Sequence, residues 1–434
     1  MSNIVAIVGR PNVGKSTFFN RLTGMREAIV DPVSGVTRDR HYGTSDWNGI
    51  PFSVIDTGGY VHDSGDVFEL EIKKQVQLAI EESDLILFMV DLTEGLTPMD
   101  EDVASLLRKS GKKAYLVVNK VDTPIKLEGI GEFYRLGMTE VFGISAVNGS
   151  GTGELLDALV GNFSRPQEED LPDLPRVAVV GRPNVGKSSL INSLLGQDRA
   201  IVTPVPGTTR DAVFTPFKGF GLELLLVDTA GLRKKGKVKD DIEFYSVMRS
   251  IRAIENADIC LLMIDAESGF EAQDLSILHL IEKNHKGMIM LVNKWDLVEK
   301  DQHSTRHFEA FIREKTAPFQ DYPIIFTSVV KKQRIIKALE LVKQIAENRG
   351  RRVPTSQLNE VLLPVIKANP PPITKGKTIQ IKYITQLPLA YPAFVFFCNL
   401  PQYIKDSYQR FLENQLRSRF NFHGVPLTIY FRKK

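Results

Sequence analysis

The sequence predicts an α/β chain of two tandem domains, each with a doubly wound and mostly parallel sheet, followed by a smaller α+β domain. Three observations carry that prediction. The octapeptide Gly9-Arg10-Pro11-Asn12-Val13-Gly14-Lys15-Ser16 returns as Gly181-Arg182-Pro183-Asn184-Val185-Gly186-Lys187-Ser188, and three further motifs return behind it in the same order. Within each half, short apolar runs alternate with helix-like stretches, the pattern of parallel strands joined by crossover helices. From residue 352 onward both the motifs and the alternation stop. A chain of 434 residues has room for about three domains of roughly 150 residues each.

Residues 1–163 make up the first domain. Strands are expected at Ile4–Val8, Phe52–Ile55, Leu85–Val90, Ala114–Val118 and Val141–Ile144, with helical stretches at Phe68–Glu81 and Asp100–Lys109. Ligands of such sheets bind at the carboxyl ends of the strands. The motifs fall there: Gly9 after the first strand, Asp56 after Ile55, Asn119 after Val118 and Ser145 after Ile144. Residues 164–175 are acidic and proline-rich and read as an exposed, semi-stiff linker. Residues 176–351 repeat the pattern, with strands expected at Val177–Val180, Leu224–Val227, Ile259–Ile264, Met288–Val292 and Ile324–Phe326. The stretch Arg233-Lys234-Lys235-Gly236-Lys237-Val238-Lys239 reads either as a solvated loop or as one that a nucleotide orders to present charge to phosphates. Residues 352–434 read as helix Gln357–Lys367, a Pro370-Pro371-Pro372 stop, strands Ile379–Tyr383 and Ala393–Phe397, a long helix over Tyr403–Phe420 and a strand Leu427–Phe431.

Composition narrows the class. Apolar residues make up 43% and charged residues 25%, the balance of a soluble globular protein. No apolar stretch approaches the ~18 residues of a membrane span, and Met1 runs almost directly into the first strand, so neither a membrane nor a signal peptide is expected. The two cysteines, Cys260 and Cys398, lie in apolar runs and read as buried thiols in a reducing, cytoplasmic compartment. Net charge is only +3, yet residues 1–163 carry −8 and residues 353–434 carry +8. The basic end suggests a polyanionic partner.

The repeated octapeptide fits G-x-x-x-x-G-K-[ST], the P-loop that cradles phosphates with backbone N–H groups. Lys15 and Lys187 would reach the β- and γ-phosphates. Ser16 and Ser188 would ligate Mg²⁺, with Thr17 and Ser189 opening the helix whose positive end faces the phosphates. Asp56-Thr57-Gly58-Gly59 and Asp228-Thr229-Ala230-Gly231 place a carboxylate for the Mg²⁺ shell and a glycine N–H for the γ-phosphate. Thr37 and Thr209 are candidates to close onto Mg²⁺ and that phosphate, and its loss would release their loops. Asn119-Lys120-Val121-Asp122 and Asn293-Lys294-Trp295-Asp296 select the base, because a carboxylate accepts the paired N–H donors that guanine supplies and adenine lacks. GTP and GDP are therefore the expected ligands. Ser145-Ala146 in the first half and Ser328 in the second complete the guanine loops. Tyr60 and Leu232 follow the Asp-x-x-Gly motifs where a water-orienting Gln would be needed, so slow intrinsic hydrolysis is expected. A monovalent cation could supply the missing charge through Asn12 and Asn184; otherwise these residues only brace the turn.

On these motifs the chain resembles the Der family, also called EngA: bacterial GTPases with two tandem Era-like domains and a C-terminal KH-like domain. The resemblance covers essentially all 434 residues. It implies a role in assembly of the large (50S) ribosomal subunit, with rRNA and the particle as partners and the nucleotide state setting association. It also implies a hydrophobic residue in place of the catalytic Gln, matching Tyr60 and Leu232, and K⁺-stimulated hydrolysis through Asn12 and Asn184. DNA is not an expected partner, and the chain is expected to act as a monomer. Two positions depart from the pattern. Val329 stands where the first half has Ala146, which would disturb the second guanine loop. The last module has no G-x-x-G, its only glycines being Gly376 and Gly424. RNA clamping in the ordinary KH manner is thus not expected, and the module would face a GTPase domain or the ribosome through charge. A GTPase coupled to tRNA modification is the alternative reading, disfavoured by the absence of a reactive cysteine. A membrane-bound scaffold is disfavoured by the absence of an anchor.

Overall fold

The computed structural model describes residues 3–30, 42–57, 72–73, 76–77, 79–81, 83–163, 174–195, 214–227, 250–299, 303–374 and 376–433. The chain divides into two compact units, Met1–Leu171 and Pro172–Lys434. Most of the linker stretch, residues 164–173, lies outside the described residues, as does the basic stretch Arg233–Lys239.

In the first unit, β1 (Asn3–Val8) is apolar because it runs through the middle of a sheet covered on both faces; Ile4 to Val8 are all fully buried. Around it lie β2 (Tyr42–Trp47), β3 (Ile50–Asp56), β4 (Leu85–Asp91), β5 (Ala114–Asn119) and β6 (Val141–Gly143), in the order β2-β3-β1-β4-β5-β6. Only β2 runs antiparallel to its neighbour. Successive residues of β1 point to opposite faces. Val5 and Ile7 join Phe18, Leu22, Leu155 and Leu159 on one side, while Ala6 and Val8 join Val103, Leu107 and Phe133 on the other. Those helical partners come from α1 (Lys15–Val30), α2 (Pro98–Ser110), α3 (Thr152–Gly161) and a 3₁₀ run over Pro124–Leu136. The α2 helix starts at Thr97, whose hydroxyl accepts the Asp100 N–H while the Asp100 carboxylate accepts the Thr97 N–H, and ends at left-handed Gly111. Helical residues at 72–73, 76–77 and 79–81 fall in the expected stretch Phe68–Glu81.

The second unit repeats the sheet as β12 (Ile324–Phe326), β11 (Gly287–Asn293), β10 (Ile259–Asp265), β7 (Arg176–Val180), β9 (Leu222–Val227) and β8 (Phe214–Gly219). Its helices are α4 (Lys187–Leu195), α5 (Ala272–Lys283), α6 (Ser304–Lys315) and α7 (Ile335–Gly350). In the two six-stranded sheets the expected strands are all present, lengthened by one to three residues except Ile324–Phe326, which matches, and Val141–Ile144, which is shorter by one. The antiparallel edge strands β2 and β8 are additional to that expectation.

The final module has three strands, β13 (Ile381–Gln386), β14 (Ala393–Cys398) and β15 (Thr428–Lys433), with β13 antiparallel and β15 parallel to β14. Helices α8 (Thr355–Ala368) and α9 (Asp406–Phe420) cover one face through Leu358, Leu362, Leu412 and Leu416. The long helix begins later than Tyr403, because Pro401–Tyr403 forms a separate 3₁₀ turn. This module meets the second sheet through backbone and apolar contacts as well as charge. The Met288 N–H donates to Gly424 O (2.8 Å) and the Gly424 N–H to Asp321 O (2.9 Å). Arg417 pairs with Asp321 at 2.9 Å, and Val425 is part of the second domain's core. Gly424 has φ +80°, and a Cβ there would press into Ile345, so one of the module's two glycines serves this junction. Cys260 and Cys398 are free and buried.

Candidate nucleotide-binding sites

Each P-loop turns through backbone conformations that side chains resist. Gly9 and Gly14 have φ +147° and +100°, and Gly181 and Gly186 have +142° and +108°. A Cβ on Gly9 would overlap the Met89 carbonyl, and one on Gly181 the Met263 carbonyl. A Cβ on Gly14 would overlap the Asn119 amide nitrogen, and one on Gly186 that of Asn293. Asn12 and Asn184 both sit at φ +63°, the left-handed region that asparagine tolerates best among residues with a Cβ, and both are exposed. Turn-bracing thus accounts for these residues by itself.

Lys15 Nζ donates to Gly9 O and Arg10 O, each at 2.8 Å, and Lys187 Nζ donates to Gly181 O and Arg182 O at 2.6 and 2.5 Å. Each ammonium is held inside its own loop. Burial pulls Lys15 down to about 8; Asp56 opposes that shift and Arg10 adds to it. A bound polyphosphate would return the lysine toward its ordinary value of about 10.4. Between those two values the free site has lost a proton that the occupied site keeps. Nucleotide affinity at the first site is therefore expected to be flat below about pH 8 and to fall about tenfold per pH unit above it. Titration calorimetry in buffers of different ionisation heat would register the proton uptake, and an affinity flat to pH 10 would contradict it.

Ser16 Oγ donates to Asp56 Oδ2 at 2.6 Å, and Asp56 is fully buried at the end of β3. In the second site, Ser188 Oγ is buried with no hydrogen-bond partner among the described residues. A hydroxyl beside a carboxylate is a hard-oxygen pair of the kind Mg²⁺ takes, so the residues present fit that ion. Thr57 Oγ1 donates to Ile7 O at 2.9 Å and so ties the motif to β1. Thr37, Gly58, Gly59, Tyr60, Thr209, Asp228, Thr229, Ala230, Gly231 and Leu232 lie outside the described residues.

At the other end of each site the two copies agree bond for bond. Asn119 Nδ2 donates to Val13 O (2.7 Å) and its Oδ1 accepts from Ala146 N (2.9 Å). Asn293 Nδ2 donates to Val185 O (2.8 Å) and its Oδ1 accepts from Val329 N (3.1 Å). Val329 leaves this contact intact because its side chain is drawn into the core rather than the loop. Ser145 Oγ donates to Asp122 Oδ1 at 2.7 Å, and with Lys126 it holds the Asp122 carboxyl below its ordinary range. Ser328, helped by Lys331, does the same for Asp296. Asp122 is exposed, whereas the Asp296 side chain is only 12% exposed, and both carboxylates are ionised at neutral pH. Lys120 and Lys294 adopt left-handed backbones (φ +69° and +59°) and pair with Asp91 and Asp265, the last residues of β4 and β10. Val121 and Trp295 are buried, and Trp295 packs on Phe326 and Phe308.

Sequence reading singled out neither Asp91 and Asp265 nor the destination of the loop arginines. Arg10 reaches Glu94 and Asp100, and Arg182 reaches Asp274 (2.9 Å), Glu271 and Gly269 O (2.9 Å). The guanidiniums thus face the first turns of α2 and α5, and only the backbone of these two residues is left to face a phosphate. A signal was present, since Asp91 and Asp100 recur at the same spacing as Asp265 and Asp274.

Comparison with known proteins agrees with this arrangement. Residues 4–120 and 176–294 match a family model described as "50S ribosome-binding GTPase", and residues 352–432 match one described as "KH-domain-like of EngA bacterial GTPase enzymes, C-terminal". Relatives named GTPase Der from Flavobacterium johnsoniae, Flavobacterium psychrophilum and Christiangramia forsetii are 61%, 60% and 59% identical. Each alignment covers 100% of this chain and 100% of the relative.

Proposed function

This chain belongs to the Der (EngA) family of GTPases, and on that premise we propose that it is a two-site switch in assembly of the large ribosomal subunit, its association with the particle set by bound GTP or GDP. The observation that carries the reading is the duplication of one complete base-reading loop, Asp122 braced by Ser145 and Asp296 by Ser328, behind two P-loops. The family model's description as a ribosome-binding GTPase supports the choice of partner.

The functional divisions are taken as 1–163, the linker 164–175, 176–351 and 352–434. In each GTPase domain the loop N–H groups and the lysine hold the β- and γ-phosphates in place, and the aspartate fixes the guanine so that the γ-phosphate lies at the strand ends. Ser16 with Asp56, and Ser188 with Asp228, would hold Mg²⁺, which would supply positive charge against the phosphate oxygens. Thr37 and Thr209 close over the γ-phosphate, and Gly59 and Gly231 give it a backbone N–H. Tyr60 and Leu232 cannot orient a water, so turnover is slow and hydrolysis acts as a timer. K⁺ at Asn12 and Asn184 is the proposed accelerator. Hydrolysis is expected to rise several-fold when K⁺ replaces Na⁺, and an Asn12→Ala, Asn184→Ala variant is expected to lose that response. Equal rates in the two salts would remove the cation role.

Sucrose-gradient sedimentation of lysate tests the switch itself. With a non-hydrolysable GTP analogue the protein is expected to migrate with large subunits and to dissociate as salt is raised, the mark of phosphate contacts. With GDP it is expected near the top. Staying near the top in both states would overturn the ribosomal reading and leave the GTPase assignment standing, and migration with large subunits in both states would remove the nucleotide switch.

A further inference from the structure

The stretch between the base-reading loop and the last strand of the sheet is where the two copies differ most. In the second domain it carries α6; in the first it is the 3₁₀ run Pro124–Leu136. That run turns apolar side chains outward, with Leu127 and Tyr134 51% and 59% exposed. Beside it β6 forms the edge of the sheet. Gly143 in β6 has no Cβ, and Ile130 and Leu127 pack where one would sit. Between the run and the strand lies a cavity of about 460 Å³, its apolar lining including Leu127, Ile130, Tyr134 and Phe142 and its acidic side chains Glu128 and Glu154. No Lys or Arg lines it, and among the described residues neither glutamate has an ion-pair partner. The surrounding domain, residues 1–163, carries a net charge of −8.

We propose that this groove docks a basic, extended segment of a partner protein, with one bulky apolar side chain in the cavity and flanking lysines or arginines on Glu128 and Glu154. The volume suits a large side chain with room to orient it. The carboxylates repel a nucleic acid, whose phosphates need cations. An edge strand beside the cavity offers backbone N–H and C=O groups to an added chain. The site is confined to the first domain, because α6 replaces the 3₁₀ run in the second.

The test uses the full chain and three labelled pentapeptides, each with a central Leu, Phe or Trp between paired lysines, read by fluorescence anisotropy at physiological salt. Saturable binding is expected for at least one of them, weakened tenfold or more by Glu128→Lys with Glu154→Lys and separately by Leu127→Asn. These positions are exposed, so the variants keep the fold. Equal binding of an all-lysine peptide would mean diffuse attraction and overturn the proposal. So would binding unchanged in the charge-reversed variant, or no saturable binding by any of the three. Concentration-dependent self-association that Leu127→Asn abolishes would give the groove to a second copy and would equally overturn it.

Discussion

A Gly14→Ala protein is expected to lose at least about 100-fold in nucleotide affinity at its first site, and Gly186→Ala the same at its second. Two effects add. At φ +100° and +108° any side chain is strained, at a cost of about 1–3 kcal/mol. The new methyl would also displace the Asn119 or Asn293 amide from the carbonyl it holds, and a buried hydrogen bond lost this way costs about 1–3 kcal/mol more. Gly49→Ala is the control: its φ is +76°, but nothing lies within 4 Å of the added Cβ. It is expected to destabilise the β2–β3 hairpin slightly and leave binding alone. Fluorescent-nucleotide titration of the three proteins separates the cases. Near-native affinity in Gly14→Ala would show that neither the φ +100° conformation nor the Asn119–Val13 bond is coupled to nucleotide binding.

The second large effect concerns the base. With Asp122→Asn and Asp296→Asn, GTP affinity is expected to fall about 10²- to 10³-fold, and xanthosine triphosphate to become the better ligand. Guanine offers two N–H donors to a carboxylate, and two charge-assisted bonds of about 1.5–3 kcal/mol each are at stake. Xanthine presents one donor and one carbonyl, which an asparagine amide matches. Ser145 and Ser328 brace the native carboxylates, so each substitution leaves a hydroxyl that can still bond the amide, and the loop should hold its shape. Hydrolysis of each triphosphate, measured in parallel, is the readout. Unchanged GTP preference would remove Asp122 and Asp296 from base selection.

Much of the fold was legible because the central strands are buried on both faces and therefore read as continuous apolar runs. Repetition made the motifs legible, since four ordered matches fix both position and context. The edge strands β2 and β8 escaped because one side of each faces no core. Gly43, Thr44, Ser45 and Asp46 look like a loop, although Ser45 is buried with its hydroxyl on Leu22 O. Their signal was in the turns: Asn48-Gly49 and Phe220-Gly221 both take positive φ at two successive positions, the two-residue hairpin that matches strand twist. By itself Pro364 argues against a continuous helix, yet α8 passes through it. The proline is exposed, so the Glu360 carbonyl it leaves unbonded faces water. The Arg10–Asp100 and Arg182–Asp274 pairs were not legible, since residues some ninety positions apart meet only once the strands are ordered.

One side chain in each GTPase domain touches both ends of its ligand site. Asn119 grips the P-loop through Val13 O and the guanine loop through the Ala146 N–H, and Asn293 does likewise with Val185 and Val329. The two loops are therefore coupled thermodynamically: whatever tightens one lowers the entropy still to be lost by the other. Diphosphate and base are then sensed as a single object, and a molecule carrying only one of the two gains little from the half of the site it fits.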